Sequence, residues 1–127
     1  MDLDHTVIPV KDKEAASQLM ARVMGWEFLG VRNYQGHVRV NDTLVMRFDD
    51  KEAASEHKPL HFAFHVGDDQ FDAILGRVVA EGLKYGTSTR DMNMQWNELN
   101  GGRRTFFTTP DGHSFEVMTA ASPARLG

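Results

Sequence analysis

The chain has 127 residues, 41% of them hydrophobic and 25% charged, the make-up of one globular domain with a sizeable core. It carries 14 basic and 18 acidic residues for a net charge of −4, which argues against nucleic acid as a partner, since phosphate binding needs a basic face. Cysteine is absent, so thiol catalysis, disulfides and zinc–thiolate sites are excluded. No apolar run nears the ~20 residues that span a bilayer, and Met1-Asp2-Leu3-Asp4-His5 lacks the apolar core of a signal peptide. A single cytoplasmic domain without a membrane partner is expected.

Residues 3–10 (LDHTVIPV) read as a first strand, with Pro9 suited to its end. Asp12 is placed to cap a helix whose apolar stripe is Ala15, Ala16, Leu19, Met20, Val23 and Met24, and Gly25 is placed to close it. Three strands follow: 26–31, then 37–40 after the turn Asn33-Tyr34-Gln35-Gly36, then 43–48. Residues 49–59 are polar and read as a linker, with a short helical turn at 51–55.

Residues 60–66 (LHFAFHV) form the next strand. Alternation puts His61, Ala63 and His65 on one face and Phe62, Phe64 and Val66 on the other. A second helix is expected over about 70–81, with Phe71, Ile74, Leu75, Val78 and Val79 as its stripe and Gly82 closing it. After a strand at 83–85 comes a long loop, 86–102, of the length that often carries function. Strands at 103–109 and 114–119 flank the turn Pro110-Asp111-Gly112, and the tail 120–127 reads as loosely ordered.

This order repeats. His5 and His61, Val10 and Val66, and Asp12 and Asp68 share one offset of 56 residues. The fold expected is therefore α+β: two βαβββ units, about 3–48 and 60–119, whose sheets curl around a cavity within one 1–127 domain. The repeat sets His5 and His61 at matching places and, aligning 44–46 with 115–117, sets Glu116 against Val45. Two histidines and a carboxylate form a recognised divalent-metal set with open positions for water or substrate.

LDHTVIPVKD, HFAFHVGDDQFDAILGRVVAEG and GGRRTFFTTPDGHSFEVMT together resemble the vicinal-oxygen-chelate superfamily, which includes glyoxalases, fosfomycin-resistance thiol transferases, extradiol dioxygenases, methylmalonyl-CoA epimerases and bleomycin-resistance proteins. The resemblance implies a metal site of His5, His61 and Glu116 holding iron, manganese, zinc or nickel. Val45 falls where glyoxalase I carries a fourth, carboxylate ligand, so the ligand set looks more like that of the thiol transferases or dioxygenases. The resemblance also implies a homodimer, with sites that can draw on both subunits.

His65, two residues along the face from His61, is a candidate supporting group or acid/base. Arg47 and Arg103 are candidates for pairing an anionic substrate, and Trp96 for an apolar wall. Expected is a metal-dependent enzyme acting on a small molecule. The rival is a metal-free protein that sequesters a drug or metabolite, as bleomycin-resistance proteins do. His113, in the Pro110–His113 turn, is expected to be structural.

Overall fold

A computed structural model describes residues 1–51 and 57–126. They form two compact units, residues 1–58 and 59–127, and each is built on the expected βαβββ plan. Most of the helical turn expected at 51–55 lies outside the described residues.

In the first unit, β1 (His5–Pro9), α1 (Lys13–Met24), β2 (Glu27–Arg32), β3 (Gln35–Arg39) and β4 (Val45–Asp49) give a sheet of order β1-β4-β3-β2. β1 runs parallel to β4, and the other pairs are antiparallel. α1 starts where the Asp12 side chain accepts from Ala15 N, and stops at Gly25, whose φ of 73° suits a residue without a Cβ. A two-residue turn at Asn33-Tyr34 (φ 49° and 64°) joins β2 to β3. β3 therefore begins at Gln35, two residues before the sequence reading places it.

Ile8, Val38, Met46 and Phe48 are buried on one face of this sheet, and Met20, Val23 and Met24 of α1 are buried too. Each such side chain contributes about 1.5–3 kcal/mol over its exposed state. A slip of one residue would bury His5, Val7 and Arg47 instead, so the register is strongly set. Gly36 lets α1 lie close, because a Cβ there would meet the Lys13 carbonyl oxygen at 2.7 Å.

The second unit contains β5 (His61–His65), α2 (Asp68–Ala80), β6 (Lys84–Gly86), β7 (Asn97–Leu99), β8 (Gly102–Thr108), β9 (Ser114–Met118) and the short α3 (Pro123–Leu126). Its main path, β5-β9-β8-β6, repeats the first sheet's order, and β7 adds a further pairing to β8. The core face gathers Phe62, Phe107 and Phe115, with ring centroids 5.5 Å apart along the row. Phe71, Ile74 and Val78 of α2 are buried with them. The N-terminus of α2 is secured by Gln70, whose side chain accepts from Gly67 N at 2.9 Å.

Two expectations change. The loop at 86–102 is not irregular throughout: β7 and β8 form a hairpin over Asn100-Gly101, both with positive φ. The tail is not loose throughout, since 123–126 turn into α3. Among the described residues no helix is long and apolar enough to cross a membrane.

Candidate metal site

The face of the second sheet opposite its aromatic core carries the chemistry. On the β5–β9 ladder His61 pairs with Ser114 and Ala63 with Glu116. On the β8–β9 ladder Phe106 pairs with Glu116 and Thr108 with Ser114. Alternation then turns His61, Ser114, Glu116, Phe106 and Thr108 to one side.

Glu116 is buried, and its Oε1 lies 3.1 Å from His61 Nε2. The other imidazole nitrogen, Nδ1, lies 2.7 Å from Ser114 Oγ. The Phe106 ring packs beside the imidazole, centroids 5.8 Å apart. A buried carboxylate is thus brought to one edge of an imidazole that is held on its other edge by a hydroxyl.

This pair fits a divalent ion. Ligand atoms each ~2.1 Å from one cation and set at a right angle stand about 3 Å apart, close to the His61–Glu116 separation. The donor set, a neutral nitrogen and a carboxylate oxygen, suits iron, manganese, zinc or nickel. Among the described residues no three His, Asp or Glu side chains form a ready-made metal group. The third candidate, His5, belongs to the first unit, half-exposed on the open face of that sheet, with Nδ1 2.8 Å from Asp4 Oδ2.

A cleft of about 650 Å³ opens beside His61, lined among others by Leu60, Thr89, Phe106, Thr108 and Ser114. Its walls are apolar groups and hydroxyls, and among the described residues His61 is the one titratable side chain in the lining.

The register also revises the match between the repeats. In the first unit His5 pairs with Val45 and Val7 with Arg47. In the second, His61 pairs with Ser114 and Ala63 with Glu116. The counterpart of Glu116 is therefore Arg47, and that of Val45 is Ser114. The sequence alignment was two residues out because no turn marks where β4 and β9 should be matched.

The remaining candidates fall as follows. His65 shares the His61 face by alternation, and its Nε2 lies 3.2 Å from the Thr119 carbonyl oxygen, to which it can donate. Arg103 lies on the other face. Its guanidinium donates to Asp72 at 2.7 Å and Asp68 at 3.1 Å, and sits 4.4 Å from the Phe71 ring centroid. These pairs hold the Asp72 carboxyl below its ordinary pKa, chiefly through the Arg103 hydrogen bond, and raise that of Arg103. Trp96 meets the edge of the same Phe71 ring, so Arg103 and Trp96 brace α2 rather than line the cleft. Arg104, its neighbour on β8, faces the His61 side and donates to Asn97 Oδ1 at 3.2 Å. His113 is structural: it is buried, and its Nδ1 accepts from Leu60 N at 3.0 Å, fixing the start of β5. Ser114, Phe106 and Thr108 were not singled out from the sequence, although alternation from Glu116 reaches Ser114 directly.

Two βαβββ sheets with a histidine on the first strand of each define the class. A family model for the Glyoxalase/Bleomycin resistance protein/Dioxygenase superfamily matches residues 2–117, and the chain belongs to that superfamily. It is similar to the metallothiol transferase FosB of Lysinibacillus sphaericus (strain C3-41), 24% identical over 98% of this chain and 86% of that protein. Among solved structures it is similar to the oxidase ChaP-H2 (TM-score 0.88, 29% identity, 97% of this chain and 96% of that one). In fold it also matches the fosfomycin resistance protein FosX of Mesorhizobium loti (TM-score 0.73, 23% identity, 98% and 97%).

Proposed function

We propose that this chain is a divalent-metal-dependent enzyme acting on a small molecule, with the metal held by His61 and Glu116 and by His5 as third ligand. The observation that carries the reading is the approach of His61 Nε2 to the buried Glu116 Oε1, at 3.1 Å. An imidazole and a carboxylate aimed at one point, beside a cleft of substrate size, suit a metal with open positions. Membership of a superfamily that includes a metallothiol transferase supports it.

When bound, the metal would polarise a substrate oxygen as a Lewis acid or, if it is iron, activate dioxygen. The chain's own residues have separate tasks. Ser114 fixes the imidazole plane of His61. Phe106 shields one side of that ring from water. Thr89 and Thr108 present hydroxyls to orient polar groups of a substrate in the cleft, and Leu60 contacts its apolar part. His65, tied to Thr119, supports the same sheet face. The protein works in the cytoplasm as a homodimer, so His5 and the His61–Glu116 pair that complete one site can come from different subunits.

Metal analysis of protein purified without chelator tests the reading. Wild type is expected to hold close to one divalent ion per site, and His61→Ala to hold about 100-fold less at equal free metal. A wild type that takes up no stoichiometric metal overturns it. In that case the largely apolar cleft favours the second reading, a protein that sequesters an apolar ligand without metal.

A further inference from the structure

The guanidinium of Arg47 finds no acceptor among the described residues, and its Nε is buried. Other arginines are accounted for. Arg103 and Arg104 are paired, Arg39 is bonded to Glu27, and Arg90 and Arg125 are exposed to water. Arg47 instead sits part-buried at the middle of β4, where burying N–H groups without partners is costly.

Among the described residues its neighbours leave it without a partner. Its cross-strand neighbours are Val7 on β1 and His37 on β3. Val7 offers no side-chain acceptor, His37 lies with Nδ1 3.0 Å from the Gln35 carbonyl oxygen, and no hydrogen bond joins either neighbour to Arg47 among the described residues. The carboxylate two residues along the same face, Asp49, is already engaged: Gln35 Nε2 donates to one oxygen at 2.9 Å and Lys51 N to the other at 2.8 Å. Arg47 also occupies the rung that Glu116 holds in the second unit. A permanent cation there cannot ligate a metal, but it can receive an anion. A guanidinium fork matches a carboxylate or phosphate by two parallel hydrogen bonds.

We propose that Arg47 forms an oxyanion-binding subsite on the sheet face that carries His5, and that the substrate is a small molecule bearing a carboxylate or phosphate-type group. The assignment to substrate rests on the metal-enzyme reading, in which His5 is a ligand. Val45, which pairs with His5, and Arg47 are two residues apart on one strand, about 7 Å. That spacing suits a ligand whose metal-binding oxygen and anionic group are separated by a few bonds.

The test uses metal-free, 15N-labelled full-length protein, so its outcome is independent of metal uptake. The Arg47 Nε–H resonance is assigned by its loss in Arg47→Lys. Inorganic phosphate or acetate, added to tens of millimolar, is expected to shift that resonance saturably, while chloride at matched ionic strength does not. Arg47→Met is expected to weaken the accompanying response of the Val7 and His37 amides about tenfold or more. A response to phosphate alone or to acetate alone upholds the subsite and tells a phosphate-type group from a carboxylate. If neither oxyanion gives a saturable shift in wild type, or if Arg47→Met responds as wild type does, the subsite is overturned. The wild-type titration decides the matter even if a variant fails to fold. Should the subsite stand while wild type takes up no metal, it is the metal reading that fails.

Discussion

The hydroxyl of Ser114 stands 2.7 Å from Nδ1 of His61, and a hydroxyl both donates and accepts. When Nε2 carries the ring proton toward Glu116, Ser114 can donate to Nδ1. When Nε2 is needed as a bare ligand, Nδ1–H can donate to Ser114. The imidazole is thus held in one plane in either tautomer. Ser114→Ala is expected to weaken divalent-metal binding about 10–100-fold with the far-ultraviolet circular dichroism unchanged. A competition titration against a chelating dye reads the loss, and an unchanged affinity would mean that Glu116 and Phe106 orient the ring unaided. At this scale the sequence was legible where a side chain's face follows from a single strand: His61 was set opposite Phe62 by alternation alone. It was not legible where two strands must be matched. Telling Val45 from Arg47 as the counterpart of Glu116 is a matter of two residues of register, which moves a side chain one rung along.

Between elements, carboxylate contacts hold helices to sheets. Asp50, just past β4, accepts from Lys13 N at 3.0 Å and lies 3.3 Å from Lys13 Nζ, so a residue distant in sequence caps the start of α1. The hydrogen bond from Lys13 N holds the Asp50 carboxyl below its ordinary pKa. A carboxyl depressed in the folded state stabilises above its unfolded pKa, about 3.9, and that stabilisation is lost as pH falls through the lower folded value. Asp50→Asn should therefore lower the melting temperature at pH 7 by the equivalent of about 1 kcal/mol, and the gap to wild type should close as the pH is taken below about 4. In the second unit Arg103 ties β8 to Asp68 and Asp72 of α2 and lies over Phe71. Arg103→Met is expected to cost about 1–2 kcal/mol in urea unfolding and to leave metal content unchanged, because its side chain is on the far face from His61. Helix limits were readable from Asp12 and Gly25, since capping is local chemistry. The β7–β8 hairpin was missed although Asn100-Gly101 is a strong turn signal, because Asn97–Leu99 is too short to show a period.

For the whole molecule, the repeat was the most legible property. The 56-residue offset between His5 and His61 foretells two sheets of the same strand order, because one hydrophobic pattern repeated gives one topology repeated. If dimers share their sites as proposed, mixing His5→Ala with Glu116→Ala protein and allowing subunits to exchange should restore about a quarter of the wild-type metal, since half the dimers are then mixed and each holds one intact site. No recovery, with exchange verified by mass, would place His5 and Glu116 of a site on the same chain.

The outer edge of β8 is covered in two pieces: β6 pairs with its end at 106–108 and β7 with its start at 102–104. Between them Thr105 Oγ1 lies 3.1 Å from the Gly86 carbonyl oxygen and 3.4 Å from that of Gln95. The excursion over 87–96 therefore leaves from β6 and returns as β7, both on the same edge of β8, with both feet pinned. A segment anchored in this way can change length cheaply, since each doubling of a closed loop costs only about 0.6 kcal/mol. Thr89, at the cleft, belongs to it. The ladder that aims His61 and Glu116 is thus insulated from the stretch where insertions and deletions are most easily absorbed. A lineage can reshape what enters the cleft while the donors beneath it stay where they are.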